Sequence, residues 1–198
     1  TTLFHFLCKF TDMIQIRPRG ASCFKMVVIN IAAGKQAHLS SGSVVADLIT
    51  ITFRDDGCGM DEALLKRVMS PFGTTRTTRK VGLGIPMMAE NCRLAGGDLK
   101  IESEVGKGTI LKATMNTASI DCLPLGDIAG TVVTLVSANP EKPDFLLNCK
   151  SIKGEMTFDT RQVREVLDGV PLNEPEIVAW MDASIREEIE PIFGGVVL

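Results

Sequence analysis

Three glycine motifs follow one another in the first 116 residues, each at a junction between regular elements, and their order constrains the fold more than any other feature. Asp55-x-Gly57-x-Gly59 follows a β-branched run, Val44 to Arg54, that predicts a strand, and it opens a helix that Asp61 is suited to cap and that runs to about Met69. Gly82-Leu83-Gly84-Ile85 opens the next helix, predicted to span Leu83 to Ala95 and to stop at Gly96-Gly97. Gly108-Thr109 opens the last strand of this part, Thr109 to Met115, joined by Val105-Gly106-Lys107-Gly108 to a strand over Leu99 to Glu104. Residues 70–82 (SPFGTTRTTRKVG) are polar and rich in Thr and Arg, a loop by composition.

The residue types point to a nucleotide. A carboxylate at a strand end accepts a hydrogen bond from an exocyclic amine such as adenine N6, and an ionised carboxylate never donates. Asp55 therefore favours an amino group over the carbonyl that guanine offers there. Glycine at 57 and 59 lets the backbone approach a flat base with no Cβ in the way. Gly82 and Gly84 leave bare N–H groups at a helix N-terminus, where phosphate oxygens bind. Thr109 carries a hydroxyl able to bridge Asp55 and a ring nitrogen through water. Alone, each motif has a bland counterpart, a turn or an ordinary helix start; their order and spacing are specific.

Other nucleotide folds fail on particular residues. A dinucleotide-binding G-x-G-x-x-G needs glycine at 62 or 87, where Glu62 and Met87 stand. A phosphate-binding G-x-x-x-x-G-K-[ST] is absent, because Lys35 and Lys107 lack its flanks.

The three motifs resemble the ATP-binding domain of the GHKL superfamily, which includes histidine kinases, the gyrase B subunit, the ninety-kilodalton heat-shock chaperone and MutL. The resemblance covers roughly residues 1–116 and is densest from Ile51 to Thr114. It is similar in organisation to stand-alone bacterial ATP-binding proteins with an added tail. It implies an α/β two-layer sandwich of the Bergerat type, a mixed sheet with helices on one face, holding ATP between the two. Asp55, Gly57, Gly59 and Met60 match the first glycine box, and Gly82, Leu83 and Gly84 match the second. Thr109 matches the threonine paired with the adenine-binding aspartate, and Ser70 to Arg76 resembles the start of the ATP lid, with Phe72, Thr74, Thr75 and Arg76 as nucleotide contacts. Arg79 and Lys80 read as solvated loop charges or as further contacts to the γ-phosphate.

One departure concerns the metal. The family's first helix carries an acidic residue followed four positions later by an asparagine that holds Mg²⁺ against the phosphates. Leu3 to Ile16 has the apolar stripe of an amphipathic helix, and in it Asp12 occupies the acidic, catalytic position while Ile16 stands where asparagine belongs. Isoleucine coordinates no metal, so no metal-binding residue is assigned. Three readings stay open: nucleotide binding without turnover, a metal oxygen supplied by another group, or an irregularity over residues 16–20, after which Arg19-Gly20-Ala21-Ser22 again looks family-like. The function expected is an ATP-dependent switch or weak ATPase. The alternatives are a non-enzymatic nucleotide-sensing or interaction protein with a degenerate metal site, and a protein kinase acting in trans.

Charge divides the chain at the same place as the motifs. Residues 1–116 hold 15 basic and 10 acidic side chains; residues 117–198 hold 6 and 14. The net charge of −3 argues against a dedicated nucleic-acid binder. No apolar run approaches the ~18 residues of a membrane span, and Lys9 follows the apolar start rather than preceding it, unlike a signal peptide. The six cysteines are never closer than fifteen positions, which fits a reduced, cytoplasmic protein without a zinc site. Residues 117–198 predict a small α+β C-terminal lobe whose acidic bias suits a protein partner or self-association. Its expected elements are strands over Gly130–Ala138, Phe145–Ile152 and Glu155–Phe158, a helix capped at Asp159 or Thr160, and a longer helix capped by Asn173. In the first part, Cys23 to Ala32 predicts a strand and Gly34 to Gly42 a loop.

Overall fold

The computed structural model describes residues 25–38, 44–70 and 84–194. Alternation of apolar residues builds a sheet. In β1 (Met26–His38) the buried residues are Val27, Ile29 and Ile31; in β2 (Val44–Asp55) they include Ile49, Ile51 and Phe53. The same period of two continues in β3 (Asp98–Glu104), β4 (Gly108–Asn116), β5 (Asp144–Ser151) and β6 (Gly154–Asp159). These six strands form one mixed sheet in the order β3-β4-β2-β1-β5-β6. Every neighbouring pair is antiparallel except β1 and β5, which run parallel from Met26 opposite Asp144 to Ala32 opposite Lys150.

Among the described residues five helices pack on that sheet: α1 (Glu62–Met69), α2 (Gly84–Leu94), α3 (Ile128–Ala138), α4 (Thr160–Leu167) and α5 (Pro175–Phe193). They meet its buried row through Val68 of α1, Ile85, Met88 and Cys92 of α2, Val132 and Val136 of α3, and Met181, Ile185 and Ile189 of α5, in one continuous apolar cluster. On the opposite face Leu48 and Thr50 are covered too, whereas Arg54, Ile110 and Lys112 lie open. The architecture is the α/β sandwich expected from the resemblance. The N-terminal amphipathic helix predicted over Leu3–Ile16 lies outside the described residues.

Three local expectations change. The strand predicted over Gly130–Ala138 is helix α3. A continuous apolar run satisfies a buried strand or a buried helix equally well, and the polar groups decide between them. Asp127 caps the first turn by accepting from the Gly130 N–H at 2.9 Å. Thr131, Thr134 and Ser137 donate back to the carbonyls of Asp127, Gly130 and Val133, so the helix absorbs the hydroxyls within itself. The loop predicted from Gly34 is instead the end of β1, paired residue by residue with β2 as far as His38 opposite Val44. Backbone pairing in such a ribbon does not require apolar side chains. Finally, Glu174 rather than Asn173 holds the N-cap position of α5, with no side-chain cap hydrogen bond, and Pro175 fills the first helical position, where it has no N–H to satisfy.

Candidate nucleotide-binding site

Strand β2 ends on Asp55, whose side chain lies on the buried row and is 5% exposed. The chain then turns through Asp55-Asp56-Gly57-Cys58-Gly59-Met60 into α1, where Asp61 caps the helix by accepting from Leu64 N–H at 2.7 Å. Within the turn, Gly57 N–H donates to Asp55 Oδ1 at 2.8 Å. The other carboxylate oxygen, Oδ2, is buried and has no hydrogen-bond partner among the described residues. Burial pushes the Asp55 carboxyl above its ordinary value; the N–H groups of Gly57 and Thr109 pull it back, and neighbouring Asp56 adds to the rise.

Thr109 of β4 stands directly opposite Asp55, on the same face and 6% exposed. Opposite Thr109 in turn is Ser103 of β3. The two hydroxyls lie 2.9 Å apart, and Ser103 Oγ also accepts from Met60 N–H at 2.8 Å and lies 3.1 Å from Gly108 O, so its one hydrogen is shared between Gly108 O and Thr109 Oγ1. A row of three polar side chains thus crosses β2, β4 and β3 at the mouth of the turn.

The turn is held against the β3–β4 hairpin at several points. Gly106 N–H donates to Cys58 O at 2.8 Å. At Gly59, φ is +64° and an added Cβ would lie 1.9 Å from the Glu104 carbonyl oxygen. At Gly108, φ is +99° and a Cβ would lie 2.1 Å from the Asp55 carbonyl oxygen. Both positions demand glycine because two backbones touch there, an observation that the expected approach to a base did not include. On the other side, Asp56 Oδ1 accepts from the N–H groups of Lys25 and Met26 at 2.8 and 3.0 Å, tying the turn to the start of β1.

Of the residues singled out in the sequence, Asp55, Gly57, Gly59, Met60 and Thr109 converge here. Met60 contributes its N–H to Ser103 and its side chain to the apolar core. Gly84 is the first residue of α2, whose first turn carries no acidic side chain. Asp12, Ile16, Phe72, Thr74, Thr75, Arg76, Gly82 and Leu83 lie outside the described residues. Ser103 and Asp56 were not singled out. Ser103 was legible only through the register of the short hairpin, which sets it across from Thr109.

A buried carboxylate oxygen without a donor is costly unless something supplies one. An exocyclic amino group does so, and the residues present therefore fit an adenine ring. Residues 25–119 match the family model described as histidine kinase-, DNA gyrase B-, and HSP90-like ATPase. This region belongs to that family. It is an ATP-binding domain of the histidine-kinase-like ATPase class. The chain is 34% identical over 98 residues to sporulation kinase C of Bacillus subtilis (strain 168), covering 46% of this chain and 23% of that protein. It is 33% identical over 104 residues to sporulation kinase E of the same organism, covering 52% of this chain and 12% of that protein. A putative sensor protein of Shewanella frigidimarina (strain NCIMB 400) is 35% identical over 79 residues, 39% of this chain and 12% of that protein. The chain thus spans less than a quarter of these relatives. Among the described residues no helix is long and apolar enough to cross a membrane, and no group of three or more His, Cys, Asp or Glu side chains converges as a metal site.

Proposed function

We propose that this chain binds an adenine nucleotide with Asp55 reading the 6-amino group, and that it acts as an ATP-dependent switch or weak ATPase. The observation that carries the reading is Asp55 Oδ2, buried at the end of β2 with no donor among the described residues. Thr109 beside it supplies a hydroxyl for the ring-nitrogen edge of the base. The family supports phosphate binding at Gly82, Leu83 and Gly84 and along the lid from Phe72 to Arg76. ATP bound there supplies a transferable γ-phosphate, and Asp12 is the proposed group orienting the attacking water.

Magnesium is the open half of the proposal. Ile16 offers no oxygen where the family places its metal-binding asparagine, and this favours a second reading, a nucleotide sensor with a lost catalytic corner. Calorimetric titration of ADP and ATP, each with and without Mg²⁺, separates the two. Tighter ATP binding with Mg²⁺ requires a replacement ligand and supports the ATPase; metal-independent binding supports the sensor. No binding of either nucleotide overturns both. The kinase names of the relatives keep a third reading in view, a kinase acting in trans, which labelled γ-phosphate moving onto an added protein would establish. We place the chain in the cytoplasm and assign residues 117–198, with 14 acidic and 6 basic side chains, to a protein partner or self-association.

A further inference from the structure

The row that begins at Asp55 and Thr109 continues one strand farther, to Ser103. A hydroxyl has one hydrogen and two lone pairs. One lone pair of Ser103 Oγ is taken by the Met60 N–H. Its hydrogen goes either to Gly108 O, at 3.1 Å, or to Thr109 Oγ1, at 2.9 Å. In the first arrangement Thr109 gives its own hydrogen to Ser103 and faces the Asp55 side as an acceptor. In the second Thr109 accepts from Ser103, and its hydrogen is free to point toward Asp55. Ser103 therefore governs whether Thr109 offers a donor or an acceptor.

We propose that Ser103 is a positioning residue that sets base selectivity by holding the Thr109 hydroxyl as a donor beside the Asp55 acceptor. The inference rests on the adenine-nucleotide reading above. An acceptor followed by a donor matches adenine, which presents an amino group next to an unprotonated ring nitrogen. It mismatches a 6-oxo purine, which presents a carbonyl next to a ring N–H. Asp55 makes no bond to Ser103, and its Oδ1 is held by Gly57, so a change at 103 disturbs only the Thr109 half of this recognition. Without Ser103, Thr109 is no longer held as a donor, and the Thr109 share of the adenine contact weakens.

The test compares ADP with inosine diphosphate by calorimetry in wild type, S103A, S103C and S103T. Wild type prefers ADP. In S103A the preference falls about fivefold, the equivalent of one hydrogen bond, through weaker ADP binding with inosine diphosphate little changed. S103C, nearly isosteric but a poor donor, shows the same loss and stands in if S103A fails to fold. S103T keeps the hydroxyl and restores the preference. T109V loses the same share of the preference, the Asp55 share remaining, and adding S103A to it costs no more, because the two act as one unit. If S103A and S103C weaken both nucleotides equally, or leave the preference unchanged, Ser103 serves only the fold and the inference is overturned while adenine binding stands. If wild type binds neither nucleotide, the adenine reading itself falls.

Discussion

Asp55 and Thr109 stand directly opposite each other across the β2–β4 pair, both on the buried face, yet no hydrogen bond from the described residues uses the second oxygen of the Asp55 carboxylate. One carboxylate oxygen is held by its own turn through Gly57 N–H, and the other is the one proposed to meet the nucleotide. Replacing Asp55 by Asn keeps an acceptor for Gly57 but puts a donor, or a weaker neutral acceptor, where the adenine amine arrives. Loss of a charge-assisted hydrogen bond costs roughly 1.5–3 kcal/mol, so ADP affinity falls about 10- to 150-fold in D55N and further in D55A. Calorimetry measures it, and unchanged affinity in both variants contradicts the assignment.

The same carboxylate predicts a pH dependence. Its folded-state pKa is raised above the ordinary 3.8, with burial the largest cause. A raised carboxyl pKa means that ionisation opposes folding: its contribution to stability is best below 3.8 and is lost as pH rises through the folded value. D55N removes that ionisation. D55N is therefore more stable than wild type at pH 7, and the difference closes as pH falls toward 3.8. Nucleotide affinity moves oppositely, since protonating Asp55 removes the acceptor. Urea midpoints of both proteins across pH check the first statement; a wild type more stable than D55N at pH 7 contradicts it.

Gly59 tests the docking of the turn on the hairpin. An alanine there accepts left-handed backbone, at roughly 1–2 kcal/mol, and drives its Cβ to 1.9 Å from the Glu104 carbonyl oxygen, which must move. G59A is expected to lose at least about 2 kcal/mol, or about 4–8 °C in Tm for a chain of this size. Because the moving backbone is that of the hairpin carrying Ser103 and Thr109, ADP binding weakens as well. A G59A protein with wild-type Tm shows that the two backbones do not touch in solution.

What the sequence makes legible follows from how local each signal is. Asp55, Gly57, Gly59 and Thr109 lie in short motifs whose chemistry can be read within a few residues, and the structure brings them together. Ser103 carries no motif; its role exists only through the strand register that sets it against Thr109. Helix α3 was hidden because Val132, Val133, Leu135 and Val136 suit a strand by propensity, and it is burial on nearly every side that accounts for their density. The parallel pairing of β1 with β5 joins residues more than a hundred positions apart and leaves no local trace at all. The charge change near residue 116 is visible in the sequence, whereas the way the strands after it join the sheet is not.

Helix α3 is fastened to α5 through Arg186. Arg186 donates through Nη2 to Asp127 Oδ2 at 2.6 Å and through Nε to Asp182 Oδ2 at 2.7 Å, while Asp127 caps α3. Asp127 and Arg186 are 53% and 50% exposed, so solvent screens the pair, and R186A is expected to cost about 1 kcal/mol at pH 7. The Arg186 hydrogen bond, then the Gly130 N–H, hold the Asp127 carboxyl below its ordinary 3.8 against the opposing effect of burial. A lowered carboxyl pKa gives stability that is present above 3.8 and lost as pH falls through the folded value. The gap between wild type and R186A in urea denaturation should therefore shrink below pH 3.8, and it should also shrink at high salt. A gap that ignores both pH and salt means that Arg186 acts through the packing of its alkyl stem rather than its charge.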